Sequence, residues 1–279
     1  LFVDGLGLGV QDARINPLAS GVCPNLETLL RGHAVPVDAS MGVEGLPQSA
    51  TGQTALLTGI NAARTVGRHV EGFPGQVLRE ILRCHNIFIQ MRQAGLRCTF
   101  ANAYFVHESA EVVRASVHSA TTVAALSAFG GVRTRQDLER NAAVYQDLTR
   151  ESLRSRGYDG RLITPQEAAE HLAEIALDYE LTLFEYFQTD RAGHSRDFDR
   201  ARTVLATFDI FLGALLARVN PNEELLVLTS DHGNIEDLRV GGHTLNPVPL
   251  VAVGKGAEQL LNKVRSIVDV TPQLLALWC

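Results

Sequence analysis

Apolar runs that stop at a carboxylate recur along this chain. Leu1-Phe-Val3 ends at Asp4, the run from Leu181 to Gln188 leads into Thr189-Asp190, and Leu225-Leu-Val-Leu228 leads through Thr229-Ser230 to Asp231-His232-Gly233. Short apolar runs bounded by turn residues predict buried strands, so three strands are expected to finish at an aspartate. Residues 34–39, 97–104 and 248–253 read as further strands. Between them the apolar period changes to that of a helix. Leu78, Ile81, Leu82 and Ile89 predict a helix over 77–94, and Phe198, Ala201, Leu205, Phe208, Leu212 and Leu215 predict one over 198–216 that packs on the sheet. Pro24 starts an amphipathic helix through Leu30. Residues 50–57 form another, with Ser49 at its beginning and Gly59 past its end. Thr164-Pro-Gln-Glu167 has the cap, proline and back-reaching acid of a helix start. A last helix is expected over 267–277, with Thr271-Pro272 at its start. Strands alternating with helices predict an α/β fold, a mostly parallel central sheet with helices on both faces. Over 105–158 the pattern changes to short helices rich in Ala, Arg and Ser. The expected organisation is therefore a core of 1–104 and 165–279 with a small helical cap insertion, 105–164.

Composition narrows the partners. The chain has 279 residues, 46% of them hydrophobic, enough for a large core, and a formal net charge of -6. That charge argues against nucleic acid or an anionic membrane surface as partner. No apolar run reaches the ~18 residues of a membrane span. Cys23, Cys84, Cys98 and Cys279 are widely spaced without a CxxC pair, which fits packed thiols in a reducing cytoplasm. The chain opens in what reads as mid-strand and without an initiator Met, so further residues are expected upstream.

The ends of the strands carry the candidate chemistry. Gly5-Leu-Gly-Leu-Gly9 lacks the GxGxxG spacing of a dinucleotide loop, and Asp4 in front of it would repel a pyrophosphate. Asp4 instead suits a metal ligand or an Asp-Gly turn. Ser49 suits, first, a helix cap, and also a position where a phosphorylated serine would meet unpaired N–H groups. In an open α/β sheet the carboxyl ends of parallel strands gather along one edge, so Asp4, Asp190 and Asp231 would converge. Three carboxylates together repel one another unless cations intervene. His194, His232 and His243 add neutral nitrogen ligands. Two dications would then balance three carboxylates and a serine alkoxide.

Ser230-Asp-His-Gly-Asn234 followed by Gly242-His-Thr-Leu-Asn-Pro-Val-Pro249, together with Asp190-Arg-Ala-Gly-His194, resembles the metal core of the alkaline phosphatase superfamily, in particular its cofactor-independent phosphoglycerate mutase and phosphopentomutase branch. Ser49 stands ten residues before Gly59, which is similar to the spacing of that superfamily's nucleophile. The resemblance implies an alkaline phosphatase-like core. It places one divalent ion, Mn²⁺ or Zn²⁺, on Asp190, His194 and His243, and a second on Asp4, Ser49, Asp231 and His232. It implies Ser49 rather than Thr51 or Thr54 as the nucleophile, a phosphoserine intermediate and a small phosphorylated substrate. The insertion is shorter than the second domain of the mutases and lacks their histidine-rich serine loop, so hydrolysis of a phosphate monoester is expected. Intramolecular phosphate transfer is the alternative, and a catalytically decayed metal-binding protein a third reading. Arg64, Arg68 and His69 are candidate substrate contacts, with Arg133 and Arg135 in the cap.

Overall fold

The structure, a computed structural model, describes residues 1–278, so Cys279 lies outside it. Among the described residues seven strands form: β1 (Phe2–Val3), β2 (Ala34–Val37), β3 (Cys98–Phe100), β4 (Leu181–Leu183), β5 (Glu185–Tyr186), β6 (Leu225–Leu228) and β7 (Val248–Gly254). β7 runs antiparallel between β2 and β6. β6 meets β1 through the parallel bridge of Phe2 with Thr229, where Val3 N donates to Thr229 O at 2.9 Å. β1 pairs in parallel with β5, and β4 in parallel with β3. β4 and β5 are two parts of one extended run interrupted at Phe184. The strand order is therefore β2, β7, β6, β1, β5 with β4, β3, and only β7 runs against the rest. The expected mostly parallel sheet is present.

Side-chain alternation along the strands splits the core in two. Val3, Leu226, Leu228 and Val251 point to one face, and Phe2, Leu225, Val227, Leu250 and Ala252 to the other. On the first face lie α1 (Pro24–Gly32) and, later in the chain, the helices Pro165–Ala176 and Phe198–Leu216. On the second lie α2 (Ser49–Thr58) and the helices Ala257–Lys263 and Ile267–Leu275. α3 (Ala62–Val66), α4 (Gln76–His85) and α5 (Ile87–Gln93) follow α2.

One helix was expected over 77–94, and two form. Asn86 is fully buried in an extended conformation, and its side-chain oxygen accepts from Phe88 N and Ile89 N, so it ends α4 and caps α5. The segment 105–164 holds α6 (Ser109–Val113), α7 (Ala120–Phe129) and α8 (Arg135–Glu139). α7 is apolar nearly all round, and its Val123, Ala124, Ala125 and Ala128 are buried with Leu57, Leu82, Phe88 and Phe100 of the main body. Ala103, Leu138, Tyr145, Leu153 and Tyr158 form a small cluster of their own. Beyond it come α9 (Pro165–Ala176), α10 (Gln188–Ser195), α11 (Phe198–Leu216), α12 (Ala257–Lys263) and α13 (Ile267–Leu275). The run from 181 stops as strand at Tyr186, so Asp190 lies in the first turn of α10 and not at a strand end. α13 is capped by Ser266, whose capping box with Asp269 precedes Thr271-Pro272; the proline sits inside the helix, against Gly59 at the end of α2. Among the described residues no helix is long and apolar enough to cross a membrane.

Candidate metal centre

The parallel strands β1, β5 and β6 finish on the same edge of the sheet, and the expected residues meet there. Asp4 follows β1, Asp231 and His232 follow β6, and Asp190 and His194 stand one turn apart on α10. Ser49 opens α2, and His243 lies in the loop before β7. Bare backbone makes these approaches possible. A Cβ on Gly52 would sit 2.9 Å from Asp231 O, so α2 reaches the β6 loop only without a side chain there. Gly5, at φ 70°, would bring a Cβ within 2.9 Å of the Asp190 side chain.

The resulting contacts are ones that hydrogen bonds alone do not satisfy. His232 is fully buried, and its Nε2 faces Ser49 Oγ at 2.9 Å, Asp231 Oδ2 at 3.3 Å and Asp4 Oδ1 at 3.4 Å. A neutral imidazole offers at most one hydrogen at that atom. Burial, then the adjacent His243, pulls the His232 ring down to about 3, so it is neutral near pH 7. Asp4 Oδ1 and Asp231 Oδ2 are buried and accept no hydrogen bond. Burial followed by the charges of Asp231 and Asp190 raises Asp4 well above the usual carboxylate range, and burial followed by Asp190 raises Asp231 to about 6. Asp4, Asp231 and His232 thus form one group able to hold a cation, and Asp190, His232 and His243 a second. His194 joins through Nε2, 3.4 Å from Asp190 Oδ2. The His232 and His243 rings stack at 3.6 Å. His243 Nδ1 lies 2.9 Å from Pro47 O and His194 Nδ1 3.4 Å from Gly241 O; donation there leaves each Nε2 lone pair free and turned to Asp190.

A family model, the Metalloenzyme superfamily, matches residues 1–277. The chain belongs to that superfamily. Curated relatives include 2,3-bisphosphoglycerate-independent phosphoglycerate mutases of Dinoroseobacter shibae, 32% identical over 127 residues (41% of this chain, 25% of that protein), and of Ruegeria sp., 34% identical over 120 residues (40% and 24%). The match therefore spans about a quarter of those proteins' length. Among solved structures, the PH0037 protein of Pyrococcus horikoshii superposes with a TM-score of 0.62 at 15% identity, covering 99% of this chain and 94% of that one. The alkaline phosphatase of the Antarctic bacterium TAB5 gives 0.58 at 16%, covering 99% and 95%. The resemblance to the alkaline phosphatase superfamily holds, with the α/β fold that it implied.

Around the centre of this Metalloenzyme superfamily chain stand residues that the motif reading passed over. Gln53, one turn after Ser49, donates to Asp4 Oδ2 at 3.2 Å. Asn234 donates to Asp190 Oδ1 at 2.6 Å, and a Cβ on Gly193 would meet its side chain at 2.3 Å. Glu185 is buried beside the Thr121 hydroxyl. Of the candidate substrate contacts, Arg64 and Arg68 are exposed and have no carboxylate within ion-pair distance among the described residues. His69 Nε2 lies 3.2 Å from Val43 O. Their segment adjoins the first turn of α2, where Val70 N donates to Thr51 Oγ1 at 3.1 Å. In contrast, Arg133 is tied inward to Phe100 O and Thr99 Oγ1, and Arg135 is paired with Glu139 and Asp159. A cavity of about 810 Å³ opens at the other end of the strands, among Leu57, Leu183, Leu225 and Leu274, and none of the site residues lines it.

Proposed function

We propose that this chain transfers phosphoryl groups through a phosphoserine on Ser49, with two divalent ions, Mn²⁺ or Zn²⁺, and that it hydrolyses a small phosphate monoester. The observation that carries the reading is His232 Nε2 facing three oxygens at 2.9 to 3.4 Å while two buried carboxylate oxygens accept no hydrogen bond. That donor set of carboxylates, neutral imidazole and a hydroxyl fits Mn²⁺ or Zn²⁺. Asp4, Ser49, Asp231 and His232 would hold one ion, and Asp190, His194 and His243 the other. Bound there, the ions supply positive charge for a serine alkoxide and for the phosphoryl oxygens.

The chain's own residues do the rest. Ser49 stands at the N-terminus of α2, where free N–H groups and the helix dipole favour the anionic phosphoryl group. Its Oγ loses its proton to solvent and attacks phosphorus in line; the Oγ–P bond forms as the ester P–O bond breaks, and the leaving oxygen takes a proton from water. Water then attacks the phosphoserine, frees inorganic phosphate and restores the hydroxyl. Arg64, Arg68 and His69 would meet the incoming anion. A second reading, compatible with the curated mutase relatives, has a hydroxyl of the bound product take the phosphoryl group instead of water.

With Mn²⁺ added, the protein is expected to release inorganic phosphate from an aryl phosphate. Ser49→Ala should lower that rate by about three orders of magnitude or more while binding Mn²⁺. Undiminished turnover in S49A would remove Ser49 as nucleophile. An isomeric phosphate ester appearing without free phosphate would favour the mutase reading.

A further inference from the structure

We infer that Glu236 is a positioning residue: its buried carboxylate binds the three ligand-bearing loops to one another and so sets the geometry of both proposed cation positions. This rests on the two-ion reading above. Glu236 has no exposed surface, and no Lys, Arg or His pairs with it among the described residues. It accepts four hydrogen bonds instead, each from a segment that carries proposed ligands. Oε2 accepts from Gly7 N at 3.0 Å, in the loop after Asp4, and from Asn234 N at 2.7 Å, just past Asp231-His232. Oε1 accepts from Thr244 Oγ1, next to His243, and from Asn246 Nδ2 at 3.1 Å. The third acid, Asp190 on α10, enters through Asn234, whose side chain donates to Asp190 Oδ1 at 2.6 Å.

Four donors thus occupy the acceptor positions of two carboxyl oxygens. The chain also makes room for it. A Cβ on Gly7 would lie 2.3 Å from the Glu236 carboxyl carbon, and one on Gly233 2.2 Å from Oε1. Gly9 would place a Cβ 2.9 Å from Glu236 Cγ. Three glycines in two loops are thus shaped around one side chain. Backbone bonds close the same knot: Ile235 N donates to Gly5 O at 3.0 Å, Thr244 N to Gly233 O at 3.0 Å and Leu8 N to Pro247 O at 2.8 Å. Because the proposed ligands come from loops distant in sequence, their mutual positions depend on what joins the loops, and groups behind metal ligands typically govern affinity by ~10–100-fold.

The test measures Mn²⁺ binding by calorimetry on the wild type, E236Q, T244V and, as a control for general destabilisation, L172A, whose side chain on α9 lines the cavity at the other end of the strands. The amide of E236Q presents donors to two of the four donors, so Mn²⁺ affinity should fall ~10–100-fold. T244V removes one bond and should give a smaller loss in the same direction; it decides the matter alone if E236Q does not fold. L172A should melt earlier yet bind Mn²⁺ as the wild type does. Wild-type affinity in the folded Glu236 and Thr244 variants overturns the inference, as does an equal loss in L172A. A wild type that binds no Mn²⁺ instead defeats the metal reading itself, and this inference with it.

Discussion

Behind the site, the Glu185 carboxyl meets the Thr121 hydroxyl at 2.7 Å, and burial pushes it up to about 7 from 4.5 in the open chain. Thr121 pulls the other way, and the Asp231 charge adds a little to the rise. The folded state therefore keeps a proton that the unfolded chain releases, so this stabilisation is complete below about pH 4.5 and is lost as pH rises through 7. In protein stripped with EDTA, Glu185→Gln should raise stability by up to about 3 kcal/mol at pH 8 and change little at pH 4. Identical urea midpoints for the two proteins at pH 8 would mean that the carboxylate is compensated there. Glu185 also shows what sequence reading passes over. Asp4 and Asp231 stand out because each ends an apolar run, but Glu185 sits within one, where an acid looks like the solvent face of a strand. Glu236 left a trace in glycines 7, 9 and 233, whose lack of a side chain reads as open space until the carboxylate that fills it is seen.

Elements were legible where an amphipathic stripe or a cap marks them, as in α11 over Phe198–Leu216, and less so where tertiary contacts decide. The stripe of Leu78, Leu82 and Ile89 is continuous, yet buried Asn86 divides it, because its amide also donates to Leu82 O and Ser127 Oγ and gains more as a cap than as a helical residue. Pro272 reads as a helix start, but Ser266 and Asp269 had already begun α13. Its ring instead presses on the turn that ends α2, the helix opened by Ser49. Gly59 has φ 76°, and a Cβ there would lie 2.6 Å from Pro272 Cγ. Gly59→Ala should therefore cost about 1–3 kcal/mol, through both the left-handed backbone and the overpacking. Adding Pro272→Ala should return part of that loss, since the ring is half of the collision. Strict additivity of the two urea-derived changes would show that the helices do not meet as described.

At the scale of the molecule, parallel strands bring acids from opposite ends of the chain to one edge, and the site is assembled at the expense of their own stability. Without cations, Asp4 is raised well above its usual range, Asp231 to about 6 and Glu185 to about 7, so each favours the protonated folded state and withdraws that support as pH climbs. His232 acts with the opposite sign. Held at about 3, it stays neutral in the fold, and stability is lost as pH falls below the 6.5 of the open chain. A divalent ion reverses the carboxylate penalty, and it binds only deprotonated carboxylates and neutral imidazoles. Mn²⁺ should therefore raise the melting temperature most near pH 8 and progressively less towards pH 5. At a hundredfold excess over Kd, each occupied site adds about 2.7 kcal/mol, which is several degrees for a chain of this size. The check is a pair of melting curves, with EDTA and with Mn²⁺, at each pH between 5 and 8. A shift independent of pH would mean that Mn²⁺ binds somewhere other than among these buried acids and histidines.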